Sequence, residues 1–121
     1  MILTLAIDPG LIKNNDRYTI AHGRLILSGA YRSGCEHCAL MVRQACIVQQ
    51  WRTTERPVRV VMTTWWPTRR GDVDATSKAV LDSLQNGGAI ANDAQVVELV
   101  ARKGVDKDRP RIEVEIFELE D

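Results

Sequence analysis

The segment Arg111-Ile112-Glu113-Val114-Glu115-Ile116 alternates charged and apolar residues without a break. Successive side chains of a strand leave opposite faces, so this pattern calls for a sheet with one face buried and the other in water. The rest of the chain has to supply the layer that covers the buried face. With 121 residues and 45% hydrophobic content, there is enough apolar material for one ordinary core, and residues 1–121 read as a single domain.

Other strands are expected at Ile2 to Ile7, ended by the turn residues Asp8-Pro9-Gly10, and at the β-branched run Val58 to Trp65 that follows Pro57. Tyr18–Ala21 and Arg24–Leu27 flank His22-Gly23, which suits a two-residue hairpin with glycine supplying positive φ. Val96 to Ala101 reads as a further strand and Lys103 to Asp108 as a turn. Two helices are expected. One begins at the N-cap Ser28 and runs to about Trp51, with Cys35, Cys38, Ala39, Val42, Ala45 and Cys46 in one apolar stripe. In the other, Ser77, Val80, Leu81 and Leu84 recur at helical spacing and Asn86-Gly87-Gly88 stops the run. Interspersed strands and helices with at least one hairpin imply an α/β domain of α+β character, a mixed β-sheet with two principal helices.

The stripe decides how the cysteines are read. Cys35-Glu36-His37-Cys38 contains a C-x-x-C, and with Cys46 and His22 or His37 a zinc or redox site can be assembled on paper. No second C-x-x-C or H-x-x-x-H completes it, and cysteines on an apolar helix face behave as small buried hydrophobes. Nothing resembles a signal peptide or reaches the roughly 20 apolar residues of a membrane span, so a soluble, cytoplasmic protein with no membrane partner is expected. The formal charge is zero, but it is unevenly spread: residues 1–71 carry ten Lys/Arg against four Asp/Glu, and residues 72–121 carry six against twelve. A locally basic surface is compatible with that distribution.

Arg69 to Val96 is the stretch that looks chemical. If the backbone is extended at Asp72 and Asp74, their carboxylates leave the same side and can share one cation. Lys78 falls one turn into the second helix and Asp93 enters from the loop after the glycines. Three carboxylates would suit a hard divalent cation such as magnesium, and a lysine could neutralise charge building on a phosphoryl group. The alternative is structural: an aspartate caps the helix, and Lys78 pairs with Asp82 four residues on. Trp65-Trp66 beside Arg69-Arg70 could stack on unpaired bases, or close a core at the strand end.

The string Arg69-Arg70-Gly71-Asp72-Val73-Asp74, then Lys78, Asp82 and Leu84, then Asn92-Asp93-Ala94-Gln95-Val96 resembles the signature of RusA-type Holliday-junction resolvases. Pro9, Asn14, Asn15, Arg17 and Tyr18 resemble the family's N-terminal pattern more weakly. The resemblance implies that Asp72, Asp74 and Asp93 are metal-binding catalytic aspartates and Lys78 the catalytic lysine. It also implies a homodimeric, often prophage-encoded endonuclease of DNA recombination and repair. Such an enzyme depends on Mg2+, with Mn2+ able to substitute, and cuts four-way junction DNA by paired symmetric incision. Ala75 stands where the family usually has asparagine, Gly71 where it often has a basic residue, and Asn92 where it has the first of two aspartates. Arg69, Arg70, Lys13, Arg17 and Arg24 are the candidate DNA contacts. The competing readings are a branched-DNA binding protein with little or no cleavage, and a thiol-based metal or redox protein.

Overall fold

Within the expected central run, Val58, Val60, Met62, Thr64 and Trp66 are all buried, while on the other face only Val61 is buried and Arg59, Thr63 and Trp65 are half-buried. This is a strand whose one face meets the core. In the computed structural model, which describes residues 1–14 and 18–120, it is the fourth of six strands. The elements in chain order are β1 (Ile2–Leu5), β2 (Tyr18–Ala21), β3 (Arg24–Leu27), α1 (Gly29–Val48), β4 (Val58–Trp66), α2 (Ser77–Asn86), β5 (Val96–Val105) and β6 (Arg111–Glu118). Short 3-10 turns occupy Pro9–Ile12 and Asp93–Gln95.

Four strands form one sheet in the order β1-β6-β4-β5, and β2 and β3 form a separate hairpin. β6 is antiparallel to both β1 and β4, whereas β4 and β5 are parallel and joined through α2. The sheet is therefore mixed, as the sequence implies. The alternation in β6 resolves as expected: Ile112, Val114 and Ile116 are buried with Leu3 and Leu5 of β1. The core that they share with Val42, Cys38, Val80, Leu84 and Ile90 holds α1 and α2 against one side of the sheet. The other side carries polar pairs, among them Arg59 with Glu98 at 3.1 Å, and Arg111 lying 5.0 Å from the Trp65 ring centre.

Several boundaries differ from expectation, each for a local reason. β1 stops at Leu5 because Ile7 turns its amide back onto the Leu5 carbonyl, although Ile7 still reaches the core. α1 starts where expected, with Ser28 Oγ accepting from the Tyr31 amide at 3.1 Å, but ends at Val48. Gln50 there adopts a left-handed φ of 55° and the Trp51 amide bonds back to Cys46 O, a helix-terminating arrangement. The Trp51 indole instead donates to Ala89 O at 2.9 Å and ties the helix end to the loop after α2. In the hairpin, His22 joins Gly23 at positive φ, 52° and 74°, as a turn of the I′ kind requires at both central positions.

The largest shift is at β5, which continues through Lys103-Gly104 to Val105, where a turn is expected. Gly104 is required for a different purpose: a Cβ there would lie 2.4 Å from the Trp65 ring, so the strand passes under a tryptophan that no side chain could accommodate. The turn follows at Asp106, whose carboxylate accepts from the Asp108 and Arg109 amides and from Arg111 Nη1.

Candidate active site

Beyond Trp66 the chain leaves the sheet and enters the acidic segment. Asp72 and Asp74 are exposed, but their backbone is not extended. Residues 73–76 form turns, with the Ala75 amide on Asp72 O and the Ser77 amide on Asp74 O. The two aspartates thus sit at the head of the first turns of α2, and any shared approach to a cation arises from turn geometry rather than strand pleat. Neither one caps the helix. Thr76 occupies the N-cap without a side-chain cap bond, its hydroxyl 2.9 Å from that of Thr64, both fully buried.

Two contacts hold this turn in place. Lys103 Nζ donates to the carbonyls of Gly71 at 2.8 Å and Arg69 at 3.4 Å, so β5 fixes the segment from outside. Asn14 donates its amide to Ala75 O at 2.9 Å, so the N-terminal loop fixes it from the other side. Gly71 lies on the Trp66 ring, with a hypothetical Cβ only 2.0 Å from the ring carbons. The absence of a larger residue at 71 is therefore dictated by the buried tryptophan. Trp66 itself is 5% exposed, and its indole nitrogen has no hydrogen-bond partner among the described residues. The stacking role for Trp66 is thereby closed off, and Trp65, whose indole N–H donates to Glu113, is half-buried on the open sheet face.

An open groove of about 330 Å³ runs beside the turn, lined by Asp8, Lys13, Trp66, Thr68, Arg70 and Asp72 among others. It brings Lys13, Arg70 and Asp72, all candidates from the sequence, to one place. It also adds Asp8, which the sequence marks only as a turn residue and whose carboxylate accepts from the Gly10 amide. No periodicity could have found Asp8; it reaches the groove through the packing of the Pro9–Ile12 turn. Arg69, between the lining residues Thr68 and Arg70 in the chain, is exposed, and Arg24 is exposed on the separate hairpin. Arg17 and Asn15 lie outside the described residues.

Lys78 Nζ is 3.1 Å from Asp82 Oδ1, so the i,i+4 pair forms on α2. Asp93 is held separately. Asn92 and Gln95 build a capping box around the Asp93–Gln95 turn, and the Asp93 amide donates to Gln85 Oε1 at 2.9 Å. Gln95 is the clip of this loop: its Oε1 accepts from the Ala91 and Asn92 amides, and its Nε2 donates to Thr54 O and Arg56 O. Asn92 performs the capping with its side-chain oxygen, which the aspartate usual in the resembled pattern would supply equally well.

These bonds place Asp93 beside the C-terminal end of α2 and the start of β4, whereas Asp72 and Asp74 sit beyond the end of β4 at the N-terminal end of α2. A ten-residue α-helix spans about 15 Å. Among the described residues no group of three or more His, Cys, Asp or Glu side chains is gathered closely enough to hold a metal ion.

A mixed four-stranded sheet with two helices on one side, an acidic turn leaving its central strand and a groove lined by both acidic and basic residues beside it defines a small α+β domain. The family model for endodeoxyribonuclease RusA matches residues 9–117. The chain belongs to this family of endodeoxyribonucleases, as its motif implies. No curated protein matches the chain. Among the described residues, no helix is long and apolar enough to cross a membrane.

Proposed function

We infer that this protein is a magnesium-dependent endodeoxyribonuclease that resolves Holliday junctions by paired phosphodiester hydrolysis in DNA recombination and repair. The observation that carries the reading is the family match across residues 9–117, which includes every residue of the acidic motif. The groove joining Asp72 to Lys13 and Arg70 adds to it, since a scissile phosphate needs cationic contacts beside the carboxylates that process it.

The donor set fits a hard divalent cation: the candidate ligands are carboxylates, and the thiols lie in the core away from them. Asp72 and Asp74 would hold the ion, with Asp93 as the third carboxylate, and Mn2+ would substitute for Mg2+. When bound, the ion supplies Lewis acidity and lowers the pKa of water at neutral pH. The chain's own groups do the rest. Arg70 and Lys13 bind and orient the phosphodiester, and Arg69 extends the contact along the backbone. Lys78 stabilises the charge that grows on the phosphoryl oxygens as water attacks in line with the departing 3′ oxygen, which requires it to exchange Asp82 for the substrate. The expected products carry a 5′ phosphate and a 3′ hydroxyl. A cytoplasmic homodimer acting on the two-fold symmetric junction places one site at each of two opposed strands.

One observation favours a second reading, a branched-DNA binding protein with little cleavage: Lys78 is already paired, and the three aspartates are not gathered within one chain. Cleavage of a synthetic mobile four-way junction, with linear duplex as control, in Mg2+, Mn2+ and EDTA separates the two. We expect paired nicks on the junction alone, and a fall of about two orders of magnitude or more in Asp72→Asn. Tight binding without nicks in either metal would leave the binding protein as the answer.

A further inference from the structure

Resting on that reading, the hairpin of β2 and β3 offers a contact of a kind the groove lacks. Among the described residues it pairs with none of the four sheet strands, and a lone two-stranded ribbon is marginal in water unless something covers it. Ile20 and Leu25 face each other across the ribbon, one step behind the His22-Gly23 turn. They are 76% and 68% exposed, and Ile20 is the most exposed large apolar side chain among the described residues. Tyr18, two residues before Ile20 and also exposed, lies on the same face. The ribbon thus holds an apolar pair out in solvent close to its tip, the kind of surface that marks a contact site.

Three observations define the chemistry of what covers the pair. The first is charge: from Arg17 to Cys35 the chain has three arginines and no acidic residue, and Arg24 is exposed beside the turn, which suits an anionic partner. The second is position. Asn14, four residues before β2, donates its amide to Ala75 O, so the entry to the ribbon is anchored at the acidic turn, beside the groove assigned to the phosphodiester. The third is form, since a two-stranded ribbon fits a DNA groove and isoleucine and leucine are side chains that wedge against base steps. At the centre of a four-way junction, base pairs bordering the exchange point have a face without a continuous neighbour. An apolar side chain can cover that face at no cost in unstacking, whereas a linear duplex must first be prised apart.

We propose that the hairpin enters the open centre of the junction and that Ile20 and Leu25 pack on the base faces exposed there. The pair is then the determinant of selectivity for branched over linear DNA, acting on bases and leaving the phosphates to Lys13, Arg69 and Arg70.

The test reads binding without cleavage, using the full chain in EDTA with a synthetic four-way junction and a linear duplex of the same sequence. Ile20→Ser combined with Leu25→Ser should weaken junction binding by about one to two orders of magnitude and leave duplex binding within roughly twofold, because the phosphate contacts remain. Permanganate attacks a thymine through its ring face. Thymines beside the exchange point should therefore be protected in the wild-type complex and reactive in the complex with the double variant. Junction selectivity and protection retained by the double variant overturn the proposal while the endonuclease reading stands. A wild type that binds the junction no better than the duplex removes the junction reading, and the proposal falls with it.

Two further measurements cover the remaining outcomes. Serine at both positions could loosen the ribbon itself, so Leu25→Phe is made as well, which enlarges the stacking surface and strengthens the cross-strand pair. Its affinity should rise by roughly threefold on the junction alone; no gain, or an equal gain on the duplex, overturns the proposal. Sedimentation velocity of wild type and double variant reads a competing occupant, a second copy of the chain. A change of oligomeric state with junction selectivity intact assigns the face to that copy and overturns the proposal.

Discussion

Gly71 and Cys38 show how single residues are constrained by what is packed on them. Gly71 has no room for a Cβ over Trp66, so Gly71→Ala has to displace either the ring or the acidic turn. Overpacking of this kind costs about 1–3 kcal/mol, and we expect thermal unfolding to show that loss. Junction cleavage should fall more than stability alone explains, because Asp72 is the next residue. Cys38 is fully buried, and burial pushes its thiol up to about 12, with the neighbouring Cys35 adding to the shift and a Ser83 hydrogen bond opposing it. Burial likewise raises Cys46. The sign for stability follows from the unfolded chain, whose thiols ionise near 9.0 while the folded Cys38 stays protonated. Stability from Cys38 is therefore intact below pH 9 and declines as pH rises from there toward 12, by up to about 1.4 kcal/mol per pH unit. Urea unfolding at pH 8 and 10 checks the direction. At pH 8, alkylation of the native protein should leave Cys38 unmodified.

At the scale of elements, Gln95 is the residue on which the Asp93 loop depends. Its amide satisfies two backbone N–H groups and two carbonyls from both sides of the loop. Gln95→Ala should cost about 2 kcal/mol in unfolding free energy and raise hydrogen exchange at Ala91 and Asn92. Gln95→Glu keeps the acceptors and loses the donors to Thr54 and Arg56, so it should fall between. Most elements were legible because they are built from local pattern. The alternation of β6, the stripe of α1 and the His22-Gly23 hairpin are each set by residues near one another in the chain. The end of β5 was not, because Gly104 reads as a turn residue until Trp65, 39 positions earlier, is laid over it. The backbone of the acidic segment was not legible: a D-x-D spacing is compatible with a strand, and only the bonds of Ala75 and Ser77 back to the aspartate carbonyls show that it turns. Asp8 and the groove depend on contacts between distant segments and left no mark in the spacing.

For the molecule as a whole, zero formal charge conceals an uneven distribution. Lys13 and Arg70 line the groove and Arg69 is exposed next to Arg70 in the chain, so junction affinity should fall with salt, each phosphate contact contributing roughly 0.9 to the log–log slope. A double Arg69→Ala, Arg70→Ala variant should lower that slope by about 2, measured by anisotropy from low to physiological salt. Arg24→Ala should change it less if the hairpin lies away from the duplex arms, a distinction the same titration reads.

The placement of β6 between β1 and β4 has a consequence for biosynthesis. When the ribosome has made residues 1–105, β1 has no strand to pair with and β4 has only β5. The facing edges of β1 and β4 stay unpaired until Arg111–Glu118 emerges and slots between them. The sheet therefore cannot close before β6 has been made, and a nascent chain stalled ahead of it would present unpaired strands to chaperones rather than a finished domain.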